Sequence, residues 1–102
     1  MGTFARRKPR RLAEKLLTIR LAFGDSQNSL IRRLGLTDDL TQSDVSAFER
    51  GAREPSLLTL LEYARMAGVW IDVLVDDDLN LPENLPARAK KEGIKGKSSA
   101  QD

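Results

Sequence analysis

The residues best suited to chemistry fall in one short stretch, "TQSDVSAFERGAREP", residues 41 to 55. Thr41, with Asp44 three residues on, follows a helix capping-box pattern. Leu40 and Val45 are spaced for a hydrophobic staple, and Gly51 is a helix stop. If Val45 and Phe48 point inward, the opposite flank carries Gln42, Ser43, Ser46 and Ala47. An amide, two hydroxyls and a methyl can hydrogen-bond in both directions and make one apolar contact. A plain polar solvent face would be furnished in the same way. Arg50 and Arg53 follow directly and offer two cations for anionic groups.

Other chemistries have little to work with. The chain has no cysteine and no histidine, so disulfides, a zinc site and a conventional catalytic triad have nothing to be built from. The lack of cysteine fits a reducing cytoplasm. Asp76, Asp77 and Asp78 could hold a hard cation, stay hydrated, or act as internal bait for basic segments. No enzyme activity and no cofactor are expected. No apolar run approaches the ~18 residues that span a bilayer, and "MGTFARRKPRR" lacks the apolar stretch of a secretory signal.

The net charge of +2 is unevenly spread. Arg6, Arg7, Lys8, Arg10 and Arg11 precede the first acid, Glu14, and Lys90, Lys91, Lys95 and Lys97 dominate the far end. Basic ends on a near-neutral middle suit a polyanion partner, with solvated tails as the bland alternative.

The elements that must position these residues are helices. Leu12, Leu16, Ile19 and Phe23 recur at helical spacing, with Pro9 suited to a first helical position and Gly24 to a left-handed stop. Ser26 caps a second helix carrying Leu30, Ile31 and Leu34, ended by Gly35. The third is the helix from Thr41 to Gly51. Pro55 and Ser56 open a fourth, with Leu57, Leu60, Leu61 and Ala64 as one apolar stripe up to Gly68. A last short turn is "WIDVLV", of which Val69, Ile71 and Leu74 close the core. Nothing alternates with period two over a useful length. The chain divides into a basic arm (1–8), an all-α domain (9–79) and a flexible basic tail (80–102).

Taken in order, Ser26-Gln27, Leu30, Leu34-Gly35, Val45-Ser46, Glu49-Arg50-Gly51, Pro55, Leu60, Ala64 and Gly68-Val69 resemble the XRE-type, phage-repressor and Cro-like, helix-turn-helix family. The resemblance covers about Leu12 to Val75. It implies a five-helix domain whose third helix enters the major groove of double-stranded DNA. There, Gln42 would pair with adenine, Ser43 and Ser46 would donate or accept, and Ala47 would touch a thymine methyl. Asp44 caps its own helix or accepts from a cytosine amino group. Gln27, Thr41, Arg50 and Arg53 would meet phosphates, and the arm residues Arg6, Arg7 and Lys8 would track the backbone. Arg32 and Arg33 are read as a solvated pair. The resemblance also implies an Arg20–Glu49 ion pair. At Trp70 and Val73, family members usually carry polar residues, which points to an outward apolar patch and a homodimer through it, with Leu79 and Leu81 as further candidates. Peripheral core is the other reading of Trp70.

One departure from the family stands out: "LTDDLT" separates Gly35 from Gln42, a turn longer by about four residues. It is read as a bulge away from DNA, the other reading being a docking geometry different from the family's. The function implied is sequence-specific transcriptional regulation, most simply repression. The alternative is an antitoxin-like module that binds a partner protein through the tail beyond Pro82 and regulates its own operon.

Overall fold

The computed structural model describes residues 8–87, and within them the chain is all helical. Five helices follow one another: α1 (Leu12–Ala22), α2 (Gln27–Leu34), α3 (Gln42–Glu49), α4 (Leu57–Ala67) and α5 (Ile71–Val75). None is long and apolar enough to cross a membrane.

Local chemistry accounts for most helix ends. Ser26, Thr41 and Ser56 each accept a hydrogen bond from the backbone N–H three residues ahead, satisfying a donor the helix leaves open. At α3 the cap is reciprocal, since the Asp44 carboxylate accepts from the Thr41 N–H at 2.9 Å. Gly51 ends the same helix at φ 73°, and the Ala52 N–H reaches back to the Ala47 carbonyl at 2.9 Å. This closure needs a left-handed residue, which glycine adopts without a Cβ clash.

The core joins Leu12, Leu16 and Ile19 of α1 to Leu30, Ile31 and Leu34 of α2. Val45 and Phe48 of α3, Leu60, Tyr63, Ala64 and Ala67 of α4, and Val69, Val73 and Leu74 complete it. Leu16, Ile19, Leu30, Val45, Tyr63 and Leu74 are fully shielded from solvent.

Four expectations from the sequence are corrected. Helix α1 starts at Leu12 rather than Pro9, because its start is set from outside: the Asp77 carboxylate accepts the N–H groups of Arg10 and Arg11 at 2.9–3.0 Å. Leu57 is exposed, because the first turn of α4 stands clear of the core and the buried stripe begins at Thr59 and Leu60. Val73 is buried rather than outward. Its side chain joins the core cluster, and the short helix is held against α1 by Lys15, whose ammonium donates to the carbonyls of Val73, Asp76 and Leu79 at 2.8–3.0 Å.

The fourth correction concerns the tail. Residues 80–87 pack on the domain through Leu81, Leu85 and Ala87, and the Ala87 N–H donates to the Ala67 carbonyl at 2.8 Å. Gly68 permits this approach, since a Cβ there would lie 3.0 Å from the Ala87 nitrogen. The remainder of the tail, from residue 88, lies outside the described residues.

Within the acidic triplet, the Asp77 carboxylate is taken up by the Arg10 and Arg11 N–H groups, and Lys15 lies beside the Asp76 carbonyl. Its side chain is buried, and the cation among these carbonyls is the protein's own ammonium. Burial, followed by the charge of Arg11, lowers its pKa, against the opposing pull of Asp77 and Asp76. Among the described residues no group of acids is arranged to hold a metal ion.

Candidate nucleic-acid interface

Helix α3 presents its first turn to solvent. Gln42 and Ser43 are exposed, and Ser46 is half-buried. Beneath them Val45 and Phe48 are anchored in the core, so the helix cannot roll without opening it. The side chains with hydrogen-bonding capacity therefore stand on a rigid, capped platform.

Ala47 does not belong to that face. It is only 9% exposed, because the chain after α3 folds back on it. The N–H groups of Ala52 and Arg53 both reach its carbonyl, at 2.9 and 3.3 Å. The expected thymine-methyl contact is thus withdrawn from the surface, leaving Gln42, Ser43 and Ser46.

The cations are more ordered than their positions in the chain suggest. Arg53 donates to the Asp44 carboxylate at 2.7 Å, and its guanidinium lies 5.5 Å from the Phe48 ring centroid. Arg50 donates to the Ser46 hydroxyl at 3.3 Å. Lys8, from the N-terminal segment, shares a crevice with Arg10, Gly51, Ala52 and Arg53. Lys8 and Arg10 of the N-terminal segment thus stand beside Arg53 of the loop after α3, with Glu54 lining the same crevice. Arg6 and Arg7 lie outside the described residues. Thr41 is exposed, with its hydroxyl engaged as the cap.

Asp44 sits at the head of this surface. The Thr41 N–H first, then the Arg53 guanidinium, hold its carboxyl below the usual carboxylate range. Its negative charge is therefore kept but matched by a bound cation. Asp38 and Asp39, on the long turn, are exposed.

Behind α3 a charged network sets its orientation. Arg20 grips Glu49 with two hydrogen bonds, Nε to Oε2 at 2.7 Å and Nη2 to Oε1 at 3.0 Å. The remaining terminal nitrogen of Arg20 donates to the Asp25 carbonyl at 2.9 Å. Gln27 Nε2 joins at 3.1 Å from Glu49 Oε1. One carboxylate therefore ties α1, α2 and α3 together, and Gln27 is oriented by it rather than free on the surface. Arg32 and Arg33 are both exposed, but Arg33 pairs with the buried Asp25 carboxylate and lies over the Phe23 ring at 5.1 Å. Arg33 is thus solvated, as expected, but tied to Asp25 rather than free.

The Asp44–Arg53 pair and the approach of Lys8 to Arg53 were not anticipated from the sequence. The signal for the first was faint: an acid and a base nine positions apart across a glycine turn. The second joins segments more than forty residues apart, and no local pattern announces it.

Comparison with family models, curated proteins and solved structures finds no match. The functional reading therefore rests on the residues themselves.

Proposed function

We propose that this chain is a sequence-specific DNA-binding regulator, acting most simply as a repressor, that places α3 in the major groove. The observation that carries the reading is the exposed Gln42, Ser43 and half-buried Ser46 on a helix locked by a reciprocal cap and two core anchors. A major-groove reader needs side chains that pair with base edges on a backbone free to approach closely. It also needs cations on its flank to meet phosphates: Lys8 and Arg53 line one crevice, and Arg50 is exposed directly after α3.

In this reading Gln42 and Ser43 read bases, Ser46 adds a shorter contact, and Arg50, Arg53 and Lys8 set register on the backbone. Asp44 holds Arg53 in place in the free protein and stands where a cytosine amino group could reach it. Gln27 acts from the first turn of α2, held by Glu49. The proposal includes a cytoplasmic setting and a homodimer that engages a two-fold symmetric site.

Selection of bound sequences from random double-stranded DNA tests the proposal. A defined consensus, lost when Gln42 and Ser43 are both replaced by alanine, is the expected result. Enrichment of no sequence, with affinity that follows salt alone, would refute it.

A further inference from the structure

The start of α1 has no side-chain cap from its own first turn, and a residue from the far end of the domain takes that place. Oδ1 of Asp77 accepts the N–H groups of both Arg10 and Arg11 at 3.0 Å, and Oδ2 accepts that of Arg10 at 2.9 Å. The Arg11 guanidinium completes the tie, donating to the Asp77 carbonyl and to the Asn80 side chain, each at 2.8 Å. An ordinary cap satisfies a donor inside the helix. This carboxylate instead holds the backbone that leads into it.

What precedes the hold is short and stiff. The ring of Pro9 fixes its φ, and Lys8, as the residue before a proline, is confined to extended backbone. Where Arg10 is held therefore sets where Lys8 lies. Lys8 is exposed and borders two crevices, one shared with the acidic triplet and the other with Gly51, Ala52 and Arg53 of the loop after α3. That loop rests on α1, since a Cβ at Gly51 would lie 3.7 Å from the Ala13 Cβ.

We propose that Asp77 is a positioning residue for the nucleic-acid interface, anchoring the segment from Lys8 to Arg11 so that the Lys8 ammonium meets a DNA phosphate beside the loop after α3. On the DNA-binding reading, on which this rests, the acidic triplet then carries two opposite effects. Asp78 only repels phosphate, whereas Asp77 repels it and yet strengthens binding through Lys8. A loose cationic end loses freedom when it meets phosphate, and a segment already held does not. The anchor therefore shows itself as coupling between positions 77 and 8, not as charge.

Phosphate contacts are blind to sequence, so duplex DNA of random sequence is the probe, bound by the full chain over a range of salt concentrations. Lys8→Ala should lower the salt slope by about one. Asp77→Ala should weaken binding and lower the slope by the same amount, although it removes a negative charge. Asp78→Ala should bind equally or more tightly. Asp77→Asn, which keeps the oxygen that holds both N–H groups, should bind better than Asp77→Ala. In the Asp77→Ala background Lys8→Ala should change nothing further, whereas Arg50→Ala should keep its full effect. Thermal melting shows that each variant is folded at the assay temperature.

A second readout needs no DNA. The chain has no cysteine, so Lys8→Cys with Ala52→Cys takes a pair of spin labels; their distance distribution should be narrow, and broad once Asp77→Ala is added. Tighter binding by Asp77→Ala, an undiminished effect of Lys8→Ala in its background, or an unchanged label distribution would overturn the proposal. A wild-type chain that binds no duplex would instead sink the regulator reading, and the role of Lys8 with it, whatever the labels show.

Discussion

Replacing Glu49 with alanine should damage the fold itself, before any partner is considered. The Glu49 side chain is 6% exposed and that of Arg20 15%, so the pair lies largely out of water. The substitution removes both carboxylate contacts of Arg20, at 2.7 and 3.0 Å, and the Gln27 contact at 3.1 Å. Arg20 keeps only the Asp25 carbonyl among these partners. Its charge cannot leave, so it remains buried and poorly matched. Breaking a buried pair from one side costs about 3–5 kcal/mol, and the surviving carbonyl contact places this case near the lower end. About 3 kcal/mol in a domain of this size lowers the melting temperature by roughly 15 °C. A domain this small has on the order of 10 kcal/mol or less in total, so the loss is large. Differential scanning calorimetry or circular-dichroism melting, without DNA, reads it directly. The control is the double variant Arg20→Met, Glu49→Leu, which removes both charges and should recover most of the stability. A Glu49→Ala protein that melts within about 2 °C of wild type, a shift well under 1 kcal/mol, would refute the reasoning. So would a double variant as unstable as the two single losses added together.

Three further outcomes are expected. Gln42→Ala should relax base preference at one position by about 1–3 kcal/mol, whereas Arg53→Ala should weaken binding to all sequences and reduce the salt slope by about one; competition binding at several salt concentrations separates the two. Lys15→Met should destabilise the domain by about 3 kcal/mol in chemical denaturation, since three carbonyls at the end of α5 lose a charged donor. Stability should also fall in acid. Asp25 (chiefly through Arg33), Asp44 (through the Thr41 N–H) and Asp77 (through the Arg10 and Arg11 N–H groups) are all held below their ordinary value of 3.8. Each therefore adds stability that is present above that value and lost as pH falls through the lower folded one. Melting followed from pH 7 downward should stay level to about pH 5 and drop below about pH 4, less steeply in Asp77→Asn.

The amino-acid order alone was enough for the five helices and most of their ends. Serine or threonine caps and glycine stops act over three to five residues, so Ser26, Thr41, Ser56, Gly35 and Gly51 could be read without knowing the fold. Helical spacing likewise marked Leu16, Ile19, Leu30, Val45 and Phe48 as core. Tertiary structure decided what local pattern cannot hold. Asp77, not Pro9, sets the start of α1; Lys15 reaches carbonyls about sixty residues away, and Val73 joins the core; and Ala87 closes on Ala67 across Gly68. At the surface, the fold withdrew Ala47, gave Arg53 to Asp44 and left Leu57 and Leu58 in water. The physical reason is range: caps and periodicity act within a turn or two of helix, whereas burial and ion pairing depend on which distant segments arrive beside a residue.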